Sequence, residues 1–174
     1  MRTGVFVRGF AAVFVAAMLQ IVIVSSLQVG GGAPDLLLVV VVCLGLLRGS
    51  VPGALFGFLG GLLVDVVTLG TLGITSLVLT LAGFWSGRYA ETTGRGRFAP
   101  VIATGAITVL AGAFGFVLHY MLGEDVVARH SLVTALVPSL VWNVLLVLPI
   151  HRLLRVIVGE GEDVELASDV EVVV

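Results

Sequence analysis

Residues 34–73 read PDLLLVVVVCLGLLRGSVPGALFGFLGGLLVDVVTLGTLG. In these 40 residues the only charged side chains are Asp35, Arg48 and Asp65. A charge inside an apolar segment is costly, so each one is a candidate for a specific role. Gly53, Gly57, Gly60 and Gly61 lie in the same stretch and would let a second helix approach closely. The stretch divides into two apolar runs, 34–47 and 51–69, joined by a short turn. This pattern predicts two membrane-buried helices side by side.

The rest of the chain extends the pattern. Of its 174 residues 59% are hydrophobic and 11% charged, and mean hydropathy is +1.20. An ordinary soluble domain is about 25% charged, so the composition predicts an all-α membrane protein. Hydrophobic runs mark six candidate transmembrane helices, at 5–27, 34–47, 51–69, 72–89, 100–122 and 132–158. A span needs about 20 apolar residues to cross a core of about 30 Å. The second run is short, and the alternatives are a re-entrant segment and a true span; a span is expected, because Arg48 can snorkel at one end and the bilayer can thin locally. The first run follows Arg2 and Arg8, as in a signal peptide. No A-x-A-type site follows it, so the expectation is an uncleaved helix.

All nine basic residues are arginines. With the N-terminus in the cytoplasm and six crossings, Arg2, Arg8, Arg48, Arg88, Arg95, Arg97, Arg152 and Arg155 fall inside and only Arg129 outside. That split agrees with the positive-inside rule. Trp85 and Tyr89 would form an inner interfacial belt, with His119 and Tyr120 at the outer one. Six of the eleven acids, Glu160, Glu162, Asp163, Glu165, Asp169 and Glu171, crowd the last fifteen residues. The expected organisation is a membrane domain over 1–158 and an acidic, disordered cytoplasmic tail over 159–174. Net charge is −2, and +4 without those six acids, so no strong field for nucleic acid exists.

Asp35 follows Pro34 at the start of the second run. Pro at the first helical position with Asp after it suits a helix N-terminus, where a carboxylate meets free N–H groups. The expected topology puts Asp35 near the outer face. Gly53, Gly57 and Gly61 are spaced i, i+4, i+8 and Asp65 continues the row. Asp65 is thus expected in a helix–helix contact or an outer cavity, either binding a partner or tying two spans together, and within reach of Asp35. Arg48 closes the inner end of the second run as a topology and headgroup anchor. Asn143, Thr75, Ser76 and Thr80 are expected to bond across helices or back to carbonyls. Cys43, the one cysteine, reads as a small buried hydrophobe.

Catalytic chemistry finds little support. Two aspartates within spans invite comparison with intramembrane aspartyl proteases, but GxGD is absent. His119, His130 and His151 all fall at membrane edges. No H-E-x-x-H, P-loop or dinucleotide motif occurs. Neither an enzyme activity nor a cofactor is expected.

The ordered set Pro34-Asp35-Leu36, Arg48-Gly49, Gly53, Gly57-Phe58, Gly60-Gly61-Leu62, Asp65, Gly70 and Leu72-Gly73 resembles the signature of the rod-shape-determining MreD family. Beyond Gly73 the likeness rests on length, span count and small loops. The resemblance implies a non-catalytic bacterial inner-membrane component of the elongation machinery for lateral peptidoglycan. It implies MreC, a single-span periplasmic protein, as partner, alongside MreB, RodA and a class B penicillin-binding protein. It also implies a helical core similar to the substrate-binding subunits of energy-coupling-factor vitamin transporters. The acidic tail departs from the family's core.

Two functional expectations follow. In the first, the row Gly53, Gly57, Gly61 and Asp65 is a groove for the MreC helix, with Asp35 shaping its outer end; alternatively the glycines pack spans of the same chain. In the second, the chain is a vitamin-binding transporter subunit that docks its coupling module through Ala12-x-x-x-Ala16.

Overall fold

Leu37 through Leu47 form eleven consecutive buried residues. They lie in a helix that is apolar on every side, and such a helix belongs in the centre of a bundle. The computed structural model describes residues 3–26, 34–69, 71–93, 98–121 and 129–159. It contains six helices: α1 (Thr3–Ser26), α2 (Leu36–Arg48), α3 (Ser50–Thr68), α4 (Ile74–Thr93), α5 (Ala99–Met121) and α6 (Arg129–Val158). The buried run is α2, and all five other helices pack on it. Its four successive valines, Val39 to Val42, are weak helix formers. In an apolar environment, however, backbone groups need partners within the protein, and a helix supplies them.

The helices match the expected runs to within a few residues. Four of them, α1, α3, α5 and α6, are long and apolar enough to cross a membrane. The expectation of six spans is thus met on length and composition by four. At 13 residues, α2 extends only about 20 Å. At 20 residues α4 is long enough, but its last turns carry Arg88 and Glu91. It nevertheless runs antiparallel along the whole of α3, as contacts at both ends show below.

Contacts between elements sort the bundle ends. Phe6 stacks on Phe56 at 5.2 Å between ring centroids. Arg8 Nη1 donates to the Ile157 carbonyl at 3.4 Å. Ser50 at the start of α3 bonds Glu91 near the end of α4. Arg8, Arg48, Arg88, Arg152 and Arg155 therefore share one end of the bundle, while α6 begins with Arg129 at the other. Cys43 is buried and makes no disulfide, as a small hydrophobe would be. Arg2, Arg95, Arg97, the 123–128 connection and the acidic tail lie outside the described residues, as does the His119 side chain.

Candidate functional site

The glycine row faces α4 of the same chain. A Cβ added at Gly53 would run into the Gly83 carbonyl, one at Gly57 into the Leu79 carbonyl, and one at Gly61 into the Ser76 backbone. The contact is reciprocal. An added Cβ at Gly83 would meet Gly53, and one at Gly87 would meet Gly49 and Ser50. Gly45 of α2 joins the seam, set against Gly83 and Ser86. Small residues thus bring three backbones together, the packing that apolar surroundings favour when no hydrophobic force draws helices together. The row expected as a groove for a partner helix is filled by α4, and a second helix could enter only by displacing it. Gly60 points elsewhere, toward Val13 of α1 and Leu37 of α2.

Asp65 continues the seam and is 3% exposed. Its Oδ2 accepts from the Gly73 N–H at 2.8 Å and the Ser76 N–H at 3.2 Å. Gly73 directly precedes α4 and Ser76 lies in its first turn, where free N–H groups would otherwise lack partners. Ser76 completes the join by donating its hydroxyl to the Phe58 carbonyl at 3.0 Å. The connecting turn is tight. Leu69 takes a left-handed conformation with φ 52°, and Gly73 has φ +98°. Glycine suits the second position because it carries no Cβ to clash there.

The opposite end of the pair mirrors this arrangement. Glu91 Oε1 accepts from the Ser50 N–H at 2.7 Å and from the Ser50 hydroxyl at 2.9 Å. Arg88 Nη1 stands 3.6 Å from Glu91 Oε2. So α3 caps the start of α4 through Asp65, and α4 caps the start of α3 through Glu91. Glu91 lies just beyond the apolar run at 72–89 and sequence reading gave it no role, whereas α4 continues through it to Thr93. A usable signal existed, because Asp35, Asp65 and Glu91 are the only acids before Glu124.

Asp35 caps α2 itself. Its Oδ1 accepts from the Leu38 N–H at 3.0 Å, which makes Asp35 the N-cap and puts Pro34 outside the helix instead of at its first position. The Asp35 N–H donates to Asn143 Oδ1 at 2.9 Å, and the Leu36 N–H to Gln20 Oε1 at 2.7 Å. Asn143 Nδ2 then donates to Thr108 Oγ1 at 3.2 Å. Side chains from α1, α5 and α6 thus close the start of α2. Asn143 stands 14 residues into α6, about 21 Å from its start. Asp35 therefore lies level with the middle of α6. The two aspartates cap different helices, α2 and α4, instead of shaping one outer site.

Arg48 ends α2, half-buried at the arginine end. Behind it Gly49 turns the chain with φ +93° and donates its N–H to the Gly45 carbonyl at 2.8 Å. Ala16 is buried and Ala12 packs against the same core. The spacing expected to dock a coupling module is therefore used within the chain. Among the described residues, no group of three or more His, Cys, Asp or Glu side chains is placed to hold a metal ion. The arrangement closes helix ends and locks three backbones.

No curated protein matches this chain, and neither does any solved structure, so the likeness to energy-coupling-factor subunits stays an implication of sequence resemblance. A family model described as rod shape-determining protein MreD matches residues 1–157. The chain belongs to that family, and is thus a multi-pass membrane protein of the bacterial rod-shape system.

Proposed function

We propose that this chain is a non-catalytic inner-membrane component of the elongation complex, binding the MreC transmembrane helix and helping organise lateral peptidoglycan synthesis. The observation that carries the reading is the family match over residues 1–157. The family is one of shape-determining structural proteins. RodA and a class B penicillin-binding protein are further partners on this reading. In the proposed topology all six helices cross, both termini are cytoplasmic, 1–158 is the membrane domain, and 159–174 is a tail. Two observations favour six crossings. One is that α4 lies along the full length of α3, itself apolar enough to cross. The other is that five arginines gather at one bundle end.

The seam of Gly53, Gly57 and Gly61 with Asp65, together with Asp35 and Arg48, then builds the scaffold that partners recognise. MreC would meet an outward face, since α4 covers the glycine row. The test is co-purification from native membranes in mild detergent, using a tagged chain. MreC is expected in near-stoichiometric yield. Its absence, with the tagged chain at normal level and rods normal in shape, would refute the reading.

A further inference from the structure

We infer that the cleft between α4 and α5 is a phospholipid site: it holds one acyl chain from the leaflet on the arginine side, with the lipid phosphate on Arg88. The cleft has a volume of about 150 Å³ and opens to the bundle exterior. Val78, Leu81 and Trp85 of α4 line it, facing Ile107, Leu110 and Phe114 of α5. Its only side-chain polar group is the Trp85 indole N–H, so the lining suits hydrocarbon.

Spacing connects the cleft to a cation. Residues 78, 81, 85 and 88 alternate by three and four, which puts them on one helix face. Arg88 thus continues the lining stripe by one turn toward the arginine end. Its side chain is 58% exposed. Glu91 lies 3.6 Å from Nη1, and the guanidinium carries five N–H donors in a fork that matches phosphate. Between them Trp85, 56% exposed, stands where an interfacial aromatic belongs.

Depth decides between two occupants. From Arg88 to Val78 is ten residues, about 15 Å along the helix. That is half of a core of about 30 Å, the reach of one leaflet. A partner's transmembrane helix would need a groove through both leaflets, whereas a lipid chain needs only this one.

The experiment uses the full chain in nanodiscs with a phosphatidylglycerol that carries a diazirine on one acyl chain. Labelled peptides are identified by mass spectrometry after irradiation. Labelling is expected to concentrate on α4 and α5 around Leu81 and Leu110. Arg88→Gln should lower it there about tenfold, as loss of a charge-assisted hydrogen bond predicts. Leu110→Trp, at an exposed position, should block the cleft and do the same. Both variants should leave labelling near Phe10 and Phe14 of α1 unchanged, which controls for folding. Even labelling around the bundle would reveal annular lipid only and overturn the site. So would unchanged labelling in both variants. In cells, a photoreactive residue at position 110 that captures a protein instead of lipid would overturn it in favour of a partner helix.

Discussion

Each acid in the first 123 residues, Asp35, Asp65 and Glu91, closes the start of a helix. A helix N-terminus carries free N–H groups and the positive end of the dipole, so a carboxylate satisfies both at once. The demand is strongest where water is excluded, because an unpartnered N–H there costs several kcal/mol. Asp65 is the deepest test, since one oxygen serves two N–H groups. Asp65→Ala should destabilise the chain by about 2 kcal/mol. Asp65→Asn keeps an acceptor oxygen but loses the charge, and should fall between. Thermal melting in detergent should therefore rank native above Asn above Ala. Equal melting of the three forms would mean that the caps contribute nothing. Glu91→Gln should cost less than Asp65→Ala, because the Ser50 hydroxyl and N–H can still find an amide oxygen.

Helix by helix, the α3–α4 pair is the tightest unit. Its seam is backbone against backbone, so a side chain added there has no flexible neighbour to push aside. Gly57→Leu and Gly83→Leu should each cost more than the 1–3 kcal/mol typical of overpacking. Both variants should be depleted from the membrane fraction on immunoblots. Gly4→Leu meets nothing within 4 Å and serves as a control at normal level. Any Gly57→Leu chain that survives should still retain MreC in normal proportion; normal chain level with MreC lost would restore the row as a partner surface. The i, i+4, i+8 glycines were legible as one half of a contact, but spacing on one helix says nothing about who fills the groove. The other half lay in α4, where Ser76, Gly83 and Gly87 are buried on one face. Only a matching of the two stripes would have assigned the seam to the chain itself. The start of α2 was legible from Pro34 and Asp35. The partners that close it were not, since Gln20 and Asn143 lie 16 and 108 residues away along the chain.

At the scale of the whole molecule, α2 poses the largest question. A 13-residue helix with partners on every side does not need to reach both membrane surfaces. Its start is sealed by Gln20, Asn143 and Asp35, and its end by the turn at Gly49, so the protein supplies what the bilayer would not. If α2 and α4 both reverse the chain, the two ends of α4 lie on opposite sides of the membrane. This can be read chemically. Cys43 is buried, and Cys43→Ala makes a background free of thiols. Single cysteines then go to exposed positions at the two ends: Val51→Cys and Thr93→Cys at the arginine end, Leu72→Cys and Met121→Cys at the other. A membrane-impermeant maleimide should label the second pair in intact spheroplasts and the first pair only in inverted vesicles. The prediction has the positive-inside sign, because the arginine end should face the cytoplasm. Labelling of Leu72→Cys and Thr93→Cys from the same side would show that α4 does not cross. Labelling of Val51→Cys from outside would show instead that the chain has not reversed at α2.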